Sequence, residues 1–483
     1  MKILVANRGE IACRVLATLR DMGIASVAVH SDVDAGAPHV CMADEAIALG
    51  ATHAYLDIPR VIEAARSSGA TAVHPGYGFL SENAAFARAC RDSGLVFIGP
   101  SPEAMEALGD KREARRLAEE IGVAIIPGER TCDSVDEARA AAARIGYPIL
   151  LKAAGGGGGK GMRLVSAGAD LEQSFGAARR EAGSAFADER LIVEKYIAPA
   201  RHIEVQILGN GTDAVGLGER ECSLQRRYQK VIEEAPSSGI SARTRAALLR
   251  EAVKLARAAR YAGAGTVEFL VDAAGAHYFL EVNTRLQVEH PVTELIAGLD
   301  LVRSQVEIAH GGKLPSPQPP RGHAIEARLN AEDPYHGFLP STGRILMLDW
   351  PGRPGVRVDS GLREGSEVTP FYDSLLAKVI AWGGDREQAR HRLIEALRAM
   401  TLLGVTTNQP FLLQILERDF FVAGETFTST LEAERWDEPP PPAAAVAAAR
   451  RILATPLSAA DGGSGPGDRY SPWDAGAGGG GGR

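Results

Sequence analysis

The first hundred residues alternate short apolar runs with helical patterns, and this alternation constrains the fold more than any other feature of the sequence. The apolar runs are KILVA, SVAVH, TAVHP and VFIG, and helices are predicted near residues 10–22, 59–67 and 82–92. Strands that alternate with helices in this way form βαβ units and pair in parallel. The sequence therefore predicts an N-terminal doubly wound parallel α/β sheet.

The turn after the first strand argues against one common ligand of such sheets. It reads Asn7-Arg8-Gly9-Glu10 and lacks the glycine spacing that places a pyrophosphate at a helix N-terminus. Nicotinamide dinucleotides are therefore not expected here.

Length and composition exclude several classes of protein. With 483 residues the chain is expected to form about three domains. A net charge of -8 provides no broad basic surface for nucleic acid. The sequence contains no uninterrupted apolar run long enough for a membrane span and no signal peptide at its N-terminus, so a cytoplasmic protein is expected. The five cysteines form no C-x-x-C pair, so free buried thiols are expected instead of a zinc site or a disulfide framework.

Five consecutive glycines, Gly155 to Gly159, lie between two predicted strands, YPILLKA and GMRLVSA. The run satisfies G-x-G-x-x-G, but a strand follows it where the dinucleotide fingerprint requires a helix. The Walker A pattern also fails, because Ala154 replaces its first glycine and Gly161 follows Lys160. A glycine hairpin can still lay backbone N–H groups against phosphates and act as a lid, and Lys152 and Lys160 favour that interpretation. A flexible surface hairpin is the alternative.

The remaining segments indicate α+β structure. A helix near residues 170–181 and the strand RLIVEKYI complete a small unit around the glycines. From Arg201 the pattern is mostly antiparallel, with HIEVQIL, DAVGLGERE, TVEFLVD and HYFLEVN, and it continues with helices and strands to about Trp436. The Pro-, Ala- and Gly-rich remainder resembles a linker and is not expected to fold alone.

The segment TVEFLVDAAGAHYFLEVN predicts a β-hairpin. If Asp272 faces His277 across the loop 273–276, Leu270 faces Phe279 and Glu268 faces Glu281. Like charges that oppose each other on a sheet are unfavourable unless a cation lies between them.

Asn283 shares a strand face with Glu281, so two carboxylates and an amide oxygen converge. Such hard ligands suit Mg²⁺ that also binds nucleotide phosphates. The alternative is a solvated face, against which the apolar neighbours Val282, Leu280 and Leu270 indicate that the other face is core.

The next segment, TRLQVEHPVTE, predicts a strand with Arg285, Gln287 and Glu289 on one face. A guanidinium, an amide and a carboxylate there could bind and deprotonate a small oxyanion. His290 is expected to be structural. The run RRYQKVIEEAP adds Lys230, with an exposed charged strand as the alternative.

The sequence also contains several longer motifs. They are ANRGEIA, HPGYGFLSEN, FIGP, GDK, KAAGGGGGKGM, EKYI, RHIEVQ, ERECSLQRR, QKVIEEAP, EVNTRLQVEHPVTE, GHAIEARLNAEDP and FLPSTG. Together they resemble the biotin carboxylase family, the ATP-grasp component of biotin-dependent carboxylases, from Ile3 to about Phe427.

The resemblance implies an order of domains along the chain. This order is an N-terminal doubly wound (pre-ATP-grasp) domain at 1–111, an ATP-grasp lid at 112–197, an ATP-grasp catalytic core at 198–320, a C-terminal biotin carboxylase subdomain at 321–436 and a disordered tail at 437–483.

The same resemblance implies roles for individual residues. Contacts to ATP are implied for Lys111, Lys152, Gly155, Gly156, Gly157, Gly158, Gly159, Gly161, Glu194, Lys195, Ile197, His202 and Gln225. Mg²⁺ or Mn²⁺ would bind Glu268, Glu281 and Asn283. Bicarbonate would be held by Lys230, Arg285, Gln287 and the backbone of Val288. Glu289 would deprotonate bicarbonate, and Arg328 would stabilise the biotin enolate.

The implied reaction is the carboxylation of biotin by ATP and bicarbonate through carboxyphosphate. The implied partners are a biotin carboxyl carrier protein or domain, a carboxyltransferase subunit and a second copy of the chain in a homodimer. No Ala-Met-Lys-Met motif is present, so biotin is expected on another polypeptide or on a portion absent here.

The tail favours an acyl-CoA carboxylase α chain of the methylcrotonyl, propionyl or acetyl type. Tyr228 and Lys160 depart from the His or Asn and the Arg that are common in the family. Two alternatives remain, another ATP-grasp ligase and a catalytically silent scaffold subunit.

Overall fold

The computed structural model describes residues 1–154, 162–186, 188–440 and 443–454. Its N-terminal elements are β1 (Lys2–Val5), α1 (Gly9–Asp21), β2 (Ala25–Ser31), α2 (Pro38–Met42), β3 (Glu45–Gly50), α3 (Ile58–Ser67), β4 (Ala72–His74), α4 (Ala84–Asp92) and β5 (Val96–Phe97). The strands pair in parallel in the order β3-β2-β1-β4-β5, which confirms the predicted doubly wound sheet. The edge strand β3 was missed because only Leu49 in it is buried.

The segment around the glycines forms a second, smaller sheet. Its elements are α5 (Pro102–Gly109), α6 (Lys111–Glu120), β6 (Gly128–Cys132), α7 (Val135–Ile145), β7 (Ile149–Ala153), β8 (Arg163–Val165), α8 (Leu171–Phe186) and β9 (Leu191–Lys195). The strands pair antiparallel in the order β6-β9-β7-β8. β7 and β8 flank the glycine run as predicted, while residues 155–161 lie outside the described residues.

The rest of the chain contributes the largest sheet. The elements up to residue 309 are β10 (Ala200–Asn210), β11 (Ala214–Arg226), β12 (Gln229–Ala235), α9 (Ala242–Ala258), β13 (Ala262–Asp272), β14 (His277–Asn283), α10 (His290–Ala297) and α11 (Leu301–Ala309). They are followed by β15 (His323–Asn330), β16 (Glu332–Asp333), β17 (Leu339–Pro340), β18 (Gly343–Arg344), β19 (Met347–Asp349), β20 (Val356–Ser360), β21 (Glu367–Val368), β22 (Leu375–Gly383), α12 (Arg386–Ala399), β23 (Thr401–Leu403), α13 (Gln409–Glu417), α14 (Asp419–Val422) and α15 (Thr430–Ala433).

Eight of these strands form one antiparallel sheet in the order β14-β13-β10-β11-β12-β15-β22-β20. The sheet combines strands from both sides of residue 320, the predicted end of the ATP-grasp core, because β12 pairs with β15. Strands far apart in sequence are thus neighbours, so their polar side chains can meet over one face.

Apolar packing fixes the parallel sheet against the large one. Ile3, Val5 and Ile11 share one core with Leu208 and Ala264. A buried ion pair joins the same two parts, since the Lys378 Nζ on β22 lies 3.1 Å from the Glu10 carboxylate on α1. The N-terminal sheet is therefore held firmly beside the face that carries the polar residues.

The chain divides into two compact units, Met1–Pro439 and Pro440–Arg483. Within the second, the structure describes one helix, α16 (Ala443–Ala454), in the segment where a linker-like tail was expected. Among the described residues, no helix has the length and apolar character needed to cross a membrane. Four of the cysteines are buried as expected, but Cys41 is exposed.

Candidate active site

In the β13–β14 hairpin, the paired part of β13 ends one residue before the predicted position. His277 pairs with Val271, so the predicted pairing of His277 with Asp272 was wrong. The reason lies in the turn, where the Asp272 carboxylate accepts the backbone N–H groups of Ala274 and Ala276, both at 2.9 Å. An Asp side chain that bonds backbone groups further along the chain stabilises a tight turn.

A β-bulge then restores the predicted pairing further from the turn. Phe279 faces Phe269 instead of Leu270, but Glu268 faces Glu281 as predicted, because one extra residue of β14 is accommodated between these two pairs. The two carboxylates therefore do oppose each other, through a register shift and a bulge that cancel.

The bulge also changes which side chains face the core. Phe279 and Val282 are both buried in the core although they are three residues apart. Leu270 and Leu280 line the cleft beside the carboxylates, so their predicted place on the opposite face was wrong. Leu270 lies two residues from Glu268 and shares its face by the ordinary strand period.

The segment after β14 is not the predicted strand. Residues 284–289 form a loop, and Glu289 is the residue that precedes helix α10. The loop nevertheless brings its polar side chains together, since the Arg285 guanidinium donates to the Gln287 side-chain oxygen at 3.0 Å. His290 is buried and its Nδ1 lies 2.8 Å from the Gln287 carbonyl, in line with the structural role predicted for it.

Lys230 lies at the centre of the acidic residues instead of on an exposed strand. Its Nζ is 2.5 Å from Glu204, 3.0 Å from Glu268 and 2.7 Å from Glu289. Burial alone would lower the pKa of Lys230, but these three carboxylates raise it well above its ordinary value. A positive charge that is largely shielded from solvent therefore lies beside Glu289.

Glu289 is buried between two cations. Arg328 Nη2 donates to its second oxygen at 2.9 Å, opposite the contact with Lys230. Burial would raise the pKa of Glu289, but the charges of Lys230, Arg328 and Arg220 lower it well below the ordinary value. The carboxylate is thus ionised at neutral pH.

Arg285 is held by residues from two parts of the chain. Glu82, from the turn between β4 and α4, accepts a hydrogen bond from Arg285 Nε at 2.9 Å and another from the Thr284 backbone N–H at 2.8 Å. Arg285 Nη2 donates to the Asn283 side-chain oxygen at 3.1 Å. The guanidinium is therefore fixed at the rim of the carboxylate cluster.

Two further lysines extend the positive lining toward the small sheet. Lys111, the first residue of α6, lies 3.0 Å from Glu281, and Lys152 on β7 lies 2.5 Å from Glu194. Arg115 also pairs with Glu194. The side chain of Glu194 is therefore neutralised from two sides.

The other residues predicted to bind nucleotide lie along the same cleft. Gln225 Nε2 lies 3.0 Å from His202 Nδ1, and Lys195 donates to the carbonyl oxygens of Gly146 and Tyr147, both at 3.0 Å. Ile197 also lines the cleft. The predicted glycines Gly155, Gly156, Gly157, Gly158, Gly159 and Gly161 lie outside the described residues.

The donor set of the predicted metal site fits a hard cation. Glu268 and Glu281 face one patch of the cleft and provide carboxylate oxygens, the ligands that Mg²⁺ prefers. Asn283 now donates its amide N–H to Glu268 at 2.8 Å, and its oxygen faces Arg285. His202, Glu204 and Glu268 form a second buried group with ligand atoms within 4.8 Å of one another.

One cleft of about 1550 Å³ collects these residues. It is lined by every predicted site residue that the structure describes except Glu289, which contacts the lining residues Lys230 and Arg328. Sequence reasoning missed Glu204, although it lies two residues after His202 on β10 and so shares its face, opposite Glu268. Cationic side chains and acidic residues in one cleft suit a phosphorylated ligand with its metal ion.

Family models match most of the chain. Residues 1–105 match "Biotin carboxylase, N-terminal domain", residues 110–317 match "Carbamoyl-phosphate synthase L chain, ATP binding domain", and residues 326–433 match "Biotin carboxylase C-terminal domain".

Among curated relatives, a biotin carboxylase of Nostoc sp. is 48% identical over 89% of this chain and 98% of its own length. The human mitochondrial propionyl-CoA carboxylase alpha chain is 49% identical over 89% of this chain, which spans only 60% of that relative's length.

Solved structures agree with the sequence relatives. A Campylobacter jejuni biotin carboxylase in complex with beta-gamma-ATP superposes with a TM-score of 0.87 at 42% identity, covering 90% of this chain and 98% of that one. The biotin carboxylase domain dimer of Hydrogenobacter thermophilus 2-oxoglutarate carboxylase, bound to MgADP, ADP and bicarbonate, has a TM-score of 0.87 at 43% identity and covers 90% and 99%. The chain belongs to the biotin carboxylase family of ATP-grasp enzymes.

Proposed function

We propose that this chain carboxylates biotin with ATP and bicarbonate, the first half-reaction of a biotin-dependent acyl-CoA carboxylase. The observation that carries the proposal is the position of Glu289, an ionised carboxylate clamped between Lys230 and Arg328 at the end of a cleft lined with cations. A base next to two anion-binding groups suits the capture and deprotonation of a small oxyanion.

Glu289 would act as the general base toward bicarbonate. In the free site its pKa is far below neutrality, which makes it ionised but weakly basic. A bicarbonate held by Lys230, Arg285, Gln287 and the Val288 backbone N–H would share the charge of Lys230. A biotin oxygen bound to Arg328 would share the charge of that guanidinium, which would then stabilise the Glu289 carboxylate less. Both contacts would raise the proton affinity of Glu289 when the substrates are in place.

The same cations would serve the phosphoryl transfer. Lys111 and Lys152 would contact the ATP phosphates, with Glu194, Lys195, Ile197, His202 and Gln225 around the nucleoside. Mg²⁺ or Mn²⁺, held by Glu268, Glu281 and Asn283, would supply charge neutralisation at the phosphates. Asn283 would have to turn its amide to offer the oxygen.

In this reaction deprotonated bicarbonate attacks the γ-phosphorus of ATP, and the bond from that phosphorus to ADP breaks. The product carboxyphosphate releases CO₂ and phosphate, phosphate removes the proton of the biotin ureido N1, and the resulting nitrogen attacks CO₂. Arg328 would stabilise the negative charge on the ureido oxygen.

The proposal extends to partners. Biotin would arrive on a biotin carboxyl carrier protein or domain, a carboxyltransferase would consume the product, and two copies of the chain would form a homodimer in the cytoplasm. Relatives named as carboxylase alpha chains and a solved domain dimer support these partners. The acyl-CoA that accepts the carboxyl group would be of the propionyl, methylcrotonyl or acetyl type.

The test is ADP release by the purified protein with ATP and Mg²⁺, with and without bicarbonate and free biotin. The Glu289→Gln variant is expected to lose bicarbonate-dependent release while it still binds ATP. Glu219→Gln is the matched control, because Glu219 is a buried glutamate paired with Arg245 away from the cleft. Full turnover by Glu289→Gln would refute the assignment of the base. Biotin-independent release from the wild type would favour another ATP-grasp ligase, and ATP binding without release would favour a silent subunit.

A further inference from the structure

Two buried glutamates face each other directly behind Arg328. Glu233 on β12 pairs with Glu326 on β15 in the antiparallel register, and both are 0% exposed. Like charges directly opposed on neighbouring strands are unfavourable, and burial makes the repulsion stronger. Two ionised carboxylates are therefore not expected at this position.

The hydrogen bonding of the pair is incomplete in a specific way. Glu233 accepts Arg328 Nε with one oxygen at 2.5 Å, but its other oxygen and both oxygens of Glu326 have no donor among the described residues. Buried polar atoms without partners are rare because each has given up its hydrogen bonds to water without a replacement. One proton on Glu326 would supply a donor for the free oxygen of Glu233 and remove the second charge.

We propose that Glu233 and Glu326 form a carboxylate and carboxylic acid pair with one proton, and that this pair is the positioning device for Arg328. The inference rests on the proposed function, since Arg328 is the residue proposed to stabilise the biotin enolate. Glu233 Oε1 holds the guanidinium at both Nε and Nη2, each at 2.5 Å, and Nη2 also donates to Glu289 at 2.9 Å. Protonated Glu326 carries no charge of its own, so the pair has only the single negative charge of Glu233.

The charged and titratable neighbours agree with a single proton. The groups that act on the pair are Lys230 from β12, Arg328 from β15, Lys378 from β22, Cys222 from β11, and Glu289 just before α10. Burial raises the pKa of Glu326 well above its ordinary value despite Lys378. Burial raises the pKa of Glu233 to about 7, although Arg328 lowers it.

A functional consequence follows for the pH dependence. Below about pH 7 the pair takes up a second proton, this time on Glu233, and the negative charge that orients Arg328 is lost. The biotin-dependent step is then expected to fall on the acid side, whereas ATP binding stays constant.

The experiment compares three variants by the pH profile of biotin-dependent ADP release. Glu233→Gln is expected to lower kcat/KM for biotin by at least about tenfold, the effect of losing a charge-assisted hydrogen bond, with the KM for ATP unchanged. Glu326→Gln keeps a neutral donor and is expected to retain the wild-type profile within about twofold. Glu326→Leu removes the donor and is expected to shift the acid limb to higher pH. The proposal is wrong if Glu326→Gln and Glu326→Leu shift the limb equally, or if Glu233→Gln retains the wild-type profile.

A second measurement does not depend on the proposed function. The infrared difference spectrum of wild type minus Glu326→Gln, recorded well above neutral pH, is expected to contain the carbonyl stretch of a protonated carboxylic acid. Its absence would overturn the pair even if the enzyme carboxylates biotin. Its presence in a protein without biotin-dependent turnover would leave the pair standing and refute only the function.

Discussion

The fully buried Arg220 allows a stability prediction that the structure quantifies. From β11 its guanidinium contacts Glu204 at 2.5 Å, Gln206 at 2.7 Å, Thr293 at 2.8 Å and Thr266 at 3.0 Å. These partners lie on β10, β13 and α10, so one side chain joins the strands below the cleft to the helix that follows Glu289. Arg220→Met retains most of the volume and removes all of these contacts.

The expected cost is about 4 kcal/mol. Removing one partner of a buried ion pair costs about 3–5 kcal/mol, because the other charge stays buried. Lys230 still contacts Glu204 at 2.5 Å in the variant and neutralises part of its charge. The cost of losing the ion pair is therefore placed near the lower end of that range. The neutral partners that lose a donor add about 1 kcal/mol. With an unfolding entropy of about 2 cal/mol/K per residue over Met1–Pro439, the Tm is expected to fall by about 4 °C.

Differential scanning calorimetry of the whole protein measures this shift. Arg257→Met is the matched control, because Arg257 and its partner Asp213, 2.6 Å apart, have side chains that are 56% and 57% exposed. A pair that solvent reaches is worth about 0–1 kcal/mol, so the control should shift the Tm by about 1 °C or less. If Arg220→Met lowers the Tm no further than Arg257→Met does, the argument that burial makes the Arg220 contacts costly to remove is refuted.

Three further outcomes are expected. Glu82→Gln should raise the KM for bicarbonate about fivefold without changing that for ATP, because its partly exposed pair with Arg285 is worth about 1 kcal/mol; an unchanged bicarbonate KM would contradict this. Burial raises the pKa of Glu10 from 4.5 to about 7, so the folded state binds its proton more tightly and the free energy of unfolding falls as the pH rises between these values. Urea denaturation at several pH values should show a shallower decline in Glu10→Gln, whereas an equal slope would exclude this contribution. Ellman's reagent should modify one thiol of the native protein and none in Cys41→Ser, since Cys41 alone is exposed; labelling that persists in the variant would show that a buried thiol is accessible.

The parts of the fold that could be predicted are those specified by local periodicity. The N-terminal sheet was predicted because each of its inner strands is a short apolar run followed by a helix, so the pattern repeats within about thirty residues. The edge strand β3 escaped prediction because its side chains are mostly exposed and its apolar signal is weak. Local pattern therefore identifies a strand only where it contains a clear apolar run, which β5 has at the other edge and β3 lacks.

The hairpin that carries the predicted metal ligands shows a prediction that succeeded through cancelling errors. Counting back from an assumed loop placed Glu268 opposite Glu281, and the structure has that pair. The loop is one residue longer than assumed, however, because His277 pairs with Val271 instead of Asp272, and the bulge near Leu280 adds a matching extra residue to β14. The bulge follows no residue signal in the strand, so the orientation of Leu280 could not have been predicted by alternation.

What the sequence could not supply is the set of contacts that tunes the proposed base. Glu289 contacts Lys230, 59 residues earlier, and Arg328, 39 residues later, and Arg328 in turn contacts Glu233, 95 residues from it. These contacts exist because β12 pairs with β15, and no periodicity in either strand specifies that neighbour. Motifs can identify residues with the right chemistry, but the pKa of a buried carboxylate depends on cations that the sheet order brings to it. The proton proposed on Glu326 is such a property, because it follows from one pairing of two strands that lie almost a hundred residues apart in sequence.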